Sequence, residues 1–162
     1  MERDELFLQH AKAMALGNIK QASAINQEIS DDDRSSQFIF TAAFFGGLIT
    51  EHFGADLDPG QLKAFVSALV DNSENAEPGV KAEAAEGCVR AIYGEGELLD
   101  DLELDDQAVA MWAMIREIAA NSETLRQNID EHLREALSLA QEAEDEDLDE
   151  DPEEEQDPDG RD

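Results

Sequence analysis

Apolar residues recur along the chain at intervals of three and four, not two, which is the period of a helix with one buried face. Leu62, Phe65, Val66, Leu69 and Val70 fall on one such face. The residues before them form a start signal: Asp58 as N-cap, Pro59 at the first helical position, Gln61 at the capping-box position, and Leu57 placed to staple against Leu62. Asp105 and Leu104 offer the same grammar for a helix through Val109, Trp112, Ile115, Ile118 and Ala119. Asn121 breaks that pattern and Ser122 is placed to cap the next helix, whose inner stripe is Leu125, Ile129, Leu133, Ala136, Leu137 and Ala140. On its outer strip Arg126, Asp130 and Arg134 stand four apart, the spacing of helix-surface ion pairs.

Upstream, Pro78 can open a helix through Val80, Ala84, Cys88, Ala91 and Ile92, ended by Gly94 and Gly96. The first thirty residues read as two helices or one kinked one, with Gly17-Asn18 between the Leu6–Ala15 and Ile19–Ile29 apolar sets. Strand-like alternation is missing from the sequence. The expected fold class is therefore all-α: a single compact domain of six or seven helices over residues 1–141, followed by a disordered acidic C-terminal tail at 142–162.

One segment departs from amphipathic patterning. Between about Ser35 and Phe53 stand five of the seven phenylalanines, Phe38, Phe40, Phe44, Phe45 and Phe53, with apolar residues on every side. A helix of this kind is enclosed by its neighbours or covered by a partner. The first reading has Gly46-Gly47 admitting a close neighbour. The second leaves Phe40, Phe44 and Phe45 as an interface, with a homodimer or a protein target on it. The uninterrupted apolar part, Phe38 to Ile49, is too short to span a bilayer, where about 20 residues are needed.

Charge changes the picture most. The 162 residues hold 41 acidic and 11 basic side chains, a formal charge of -30. Residues 142–162 contribute 14 of the acids against Arg161 alone, a composition that cannot offset its own ordering entropy. Carboxylates stacked at a helix C-terminus also oppose the macrodipole, so fraying is expected near 142–148. A chain this acidic is repelled by phosphate, which excludes direct nucleic-acid binding and anionic membrane surfaces. Its partners are expected to be basic or neutral proteins. The lone Cys88 forms no internal disulfide, and the acidic start lacks a secretory n-region, so a cytoplasmic location is expected.

The search for chemistry returns little. His10, His52 and His132 lack companions at metal-ligand spacing, with His132 and Glu135 the nearest approach. Cys88 lies on an apolar stripe without a basic neighbour to activate it. Gly94-Glu95-Gly96 lacks the third glycine and the strand of a dinucleotide site, and Asp56 onward lacks the glycine and the terminal Glu of a calcium loop. No catalytic residue, metal ligand or cofactor is assigned.

The stretch from Glu95 to Asp106 stands out instead. Glu95, Glu97, Asp100, Asp101, Glu103, Asp105 and Asp106 alternate with Leu98, Leu99, Leu102 and Leu104, and no Lys or Arg lies between Arg90 and Arg116. Leucines 98, 99 and 102 can pin one turn to the core while the carboxylates face water, either as a solvated connector or as a patch that steers a basic ligand. The functional expectation is a non-enzymatic protein-binding module of inhibitor, immunity or assembly-chaperone type, engaging a basic partner through Glu95, Glu97, Asp100, Asp101 and Glu103, the apolar candidates being Phe40, Phe44 and Phe45. Two other readings remain open: a structural helical protein whose acidity serves solubility or high salt, which its four lysines suit, and a carboxylate-metal enzyme.

Overall fold

The computed structural model describes residues 2–72 and 79–155, with side chains through Glu146, and all regular structure among them is helical. Eight α-helices follow in order: α1 (Arg3–Ala15), α2 (Ile19–Glu28), α3 (Arg34–Phe53), α4 (Pro59–Asn72), α5 (Ala82–Ile92), α6 (Leu104–Ala120), α7 (Glu123–Gln127) and α8 (Ile129–Glu155). Short 3-10 turns occupy Asp31–Asp33 and Gly96–Asp101.

The first thirty residues resolve into two helices because Gly17 takes φ 82, a left-handed conformation that ends α1 and that side chains with a Cβ avoid. Helix α3 is the centre. It packs against α1, α5, α6 and α8, so its all-round apolar sequence is matched by neighbours on most sides. Phe40, Phe44 and Phe45 are 1%, 2% and 1% exposed, and Phe40 stacks on Phe7 of α1 with ring centroids 6.0 Å apart. The expectation of an aromatic interface here is therefore corrected: these three rings are core, and the residues α3 leaves exposed are Ser35, Gly47, Thr50, Glu51 and His52. Gly46 faces Ile92 so closely that a Cβ there would lie 3.3 Å from its Cδ1.

Local signals place α4 and α7 as read. Asp58 Oδ1 accepts from the Gly60 N–H at 3.0 Å, and Ser122 Oγ accepts from the Leu125 N–H at 3.1 Å. Leu125, Ile129, Leu133, Ala136 and Ala140 form the buried stripe, but two helices carry it instead of one. The Asn128 side-chain amide donates to the Thr124 carbonyl at 3.0 Å, competing with the regular ladder at the break. This extra break takes the number of α-helices above the six or seven expected.

Three further expectations are corrected. Helix α6 begins at Leu104 with Glu103 as an N-cap that makes no side-chain bond, so Asp105 and Asp106 sit in its first turn and Leu104, 65% exposed, staples nothing. Arg126 donates instead to the carbonyls of Ala119 and Ala120 at 2.7 and 2.8 Å, closing the end of α6, and Asp130 pairs with Lys12 of α1 at 3.1 Å. Helix α8 runs past residue 141: Gln141 Nε2 donates to Asp4 at 2.9 Å and Ser36 Oγ donates to Glu144 at 3.3 Å, so α1 and α3 hold the turn at which fraying was expected. Pro78 and the last part of the acidic tail, 156–162, lie outside the described residues. None of the described helices is long and apolar enough to cross a membrane.

Candidate functional site

The acidic connector between α5 and α6 owes its shape to what α5 lacks. Ala84, Ala85 and Gly87 are small and buried, which opens a shallow seat on that helix. A Cβ on Gly87 would lie 2.9 Å from Leu102 Cδ1, so only glycine lets the leucine close down fully. Leu98, Leu99 and Leu102 are half-buried, as their spacing predicts. From the other side, the buried Gln107 of α6 donates Nε2 to the carbonyls of Leu99 and Leu102 at 3.3 and 3.1 Å. The Leu99 carbonyl also accepts from the Leu102 N–H at 3.1 Å, so the glutamine adds a second bond there and supplies the Leu102 carbonyl with its donor.

The seven carboxylates on this pinned segment divide into two sets. Glu95 receives two bonds from Arg90, the shorter at 2.7 Å, and Asp106 pairs with Lys81 at 3.0 Å. The Arg90 hydrogen bond holds the Glu95 carboxyl below its usual range, and the Asp106 bond raises Lys81. Cations from the start and end of α5 therefore neutralise two acids that looked uncompensated in the sequence. Glu97, Asp100, Asp101, Glu103 and Asp105 form no hydrogen bond or ion pair with the described residues, and all five are exposed.

Beside the connector lies a cleft of about 740 Å³ with Lys63, Arg90 and Tyr93 facing Asp56, Glu86 and Glu95. Tyr93 closes one edge by donating its hydroxyl to the Gly54 carbonyl at 2.6 Å, and burial followed by the Asp56 charge raises its pKa. Arg90 pairs with Glu86 at 3.1 Å and with Glu95 at 2.7 Å, whereas Lys63 and Asp56 form no ion pair among the described residues.

The residues with intrinsic reactivity are scattered. Cys88 is buried and desolvation pushes its thiol up to about 11, the reverse of an activated nucleophile. His52 packs on Phe53 and Phe65 at centroid distances of 4.7 and 5.2 Å. His132 turns Nε2 toward Glu51 of α3 at 3.6 Å, not toward Glu135. Among the described residues no three His, Cys, Asp or Glu side chains converge as a metal site would require.

The structure thus gathers Glu97, Asp100, Asp101 and Glu103 on one surface segment, ties up Glu95, and removes Phe40, Phe44 and Phe45 to the interior. Sequence reading missed Asp105 as a first-turn residue and missed Gln107 altogether. A glutamine at the fourth position of the helix, directly before the apolar run Ala108 to Ile115, was the available signal, since a buried amide demands partners. No protein family, curated protein or solved structure matches the chain.

Proposed function

We propose that the chain is a non-enzymatic protein-binding module of inhibitor, immunity or assembly-chaperone type, whose acidic connector and tail engage a basic partner. What supports the reading is the set of five exposed carboxylates, Glu97, Asp100, Asp101, Glu103 and Asp105, on a connector held by Gln107 and the Gly87 seat. A cation approaching them breaks no internal pair, and the backbone loses little freedom on binding because it is already fixed. The remaining net charge adds long-range attraction that accelerates encounter at low salt.

Titration of the full chain with a short oligolysine peptide tests this. Affinity is expected to fall steadily as NaCl rises, and to drop about tenfold in the variant carrying Glu97→Gln, Asp100→Asn, Asp101→Asn and Glu103→Gln. A stop after residue 141 separates the share of the tail from that of the connector. Absence of binding even at low ionic strength refutes the reading and leaves acidity as a solubility or high-salt trait, which the four lysines favour.

A further inference from the structure

A groove of about 520 Å³ opens where α1, α2, α3 and α6 meet. Met14, Ile19, Ala22, Phe38, Ala108 and Trp112 supply its apolar lining, with Ile19 half exposed at 50% and Trp112 buried at 7%. Asp105 stands on its rim, so a residue of the first turn of α6 belongs both to this groove and to the acidic connector. Next to it come Glu103, unpaired, and Leu104, whose 65% exposure leaves a leucine one turn before Ala108.

His10 gives the groove a polar handle. Arg34 is fixed by Asn26 Oδ1 and by the carbonyls of Asn26 and Ile29, and it donates Nη1 to Gln37 Oε1 at 2.9 Å. That bond orients the Gln37 amide, so Nε2 donates to His10 Nδ1 at 3.4 Å. The proton of the neutral ring is thereby assigned to Nε2, which meets no acceptor among the described residues although the side chain is only 8% exposed and lines the groove. Its ring stands edge-on to Trp112 at 5.7 Å.

We propose that this groove is the apolar half of the docking surface and seats a basic amphipathic segment of the partner: its apolar side chains enter between Ile19, Phe38 and Trp112, its cations meet Asp105 and Glu103, and one of its carbonyl or hydroxyl oxygens accepts from His10 Nε2. The inference rests on the reading of the connector as a surface for a basic protein, and it adds the shape and apolar character of what binds. The connector selects this occupant: among the described residues Asp105, the groove's one carboxylate, forms no ion pair and continues into the free carboxylates of the connector, while Arg34, the groove's one cation, keeps its charge but is held at the wall between α2 and α3 by Asn26, Ile29 and Gln37.

Two short helical peptides without aromatic residues test it against the full chain: one of leucine and lysine with the leucines on one face, the other with serine in place of every leucine. Trp112 is the single tryptophan and reports occupancy of the groove by its emission. The leucine peptide is expected to bind at least about tenfold more tightly, to shift Trp112 emission and to move the His10 ring resonances; Ile19→Gln, at a half-exposed site that the fold tolerates, is expected to erase most of that advantage without changing the serine peptide. Equal binding of both peptides with Trp112 unmoved overturns the groove while leaving the acidic reading intact. Tighter leucine binding that ignores Ile19→Gln also overturns it, by placing the apolar contact elsewhere. Self-association that Ile19→Gln abolishes assigns the groove to a second copy of the chain instead, and failure of both peptides at low salt removes the acidic reading as well.

Discussion

Burial of the His10 ring opposes its protonation, and the charge of Arg34 opposes it further, so the imidazole titrates at about 4 where an exposed one would titrate at 6.5. Between those two values the unfolded chain binds a proton that the native chain refuses. The contribution of neutral His10 is therefore complete above the upper value and drains away as pH falls toward the lower, with a limit on the order of 3 kcal/mol. Comparison with His10→Gln isolates it from the many carboxylates, which titrate alike in both proteins. Urea unfolding is expected to show the stability difference between parent and variant shrinking from about pH 7 to about pH 4.5; a difference that does not change with pH contradicts it. The sequence marked His10 as a member of an apolar stripe, but it could not supply Arg34 and Gln37, which come from another helix. The phenylalanines of α3 taught the same thing in reverse: their apolarity was legible, while enclosure depends on what four other helices present.

The connector between α5 and α6 joins local and distant control. Its leucines were recognisable as anchors because their spacing sets them on one side of a turn, and they are half-buried. Its ion pairs were not, because Lys81 is 25 residues from Asp106 and meets it only after α5 and α6 pack together. Replacing Gln107 with leucine keeps the bulk but strands the carbonyl of Leu102, while that of Leu99 retains only the Leu102 N–H. A loss of about 1–3 kcal/mol is expected, with amide exchange accelerated over residues 96–102 and unchanged in α3. Exchange that rises equally throughout, or stays as it was, argues against Gln107 as the clamp. The start of α6 was misread because Asp105 and Glu103 are both credible near an N-terminus, and the choice of first residue falls to the way the connector is pulled onto Gly87.

A net charge of -30 on a chain whose described ion pairs are few and mostly exposed implies strong self-repulsion. Salt shortens the reach of that repulsion from roughly 10 Å at 0.1 M to roughly 3 Å at 1 M. The melting temperature is thus expected to rise by several degrees between about 0.05 M and about 0.5 M NaCl, while affinity for a basic peptide declines over the same range. These opposite responses come from one surface, so a melting temperature that falls with salt contradicts the assignment of that surface as unneutralised.

The amino-acid order alone settled the helical period, the caps at Asp58 and Ser122, and the surplus of negative charge, because each depends on residues within about one turn of one another or on simple counting, while at Gly17 it left a break and a kink equally open. Packing decided the rest: which aromatic rings became interior, which acids found a cation, how far α8 extends under the hold of α1 and α3, and where His10, Trp112 and Asp105 enclose a groove. Those outcomes require groups far apart in the chain to meet, and the free energy of such meetings is set by shape and desolvation that no local pattern encodes.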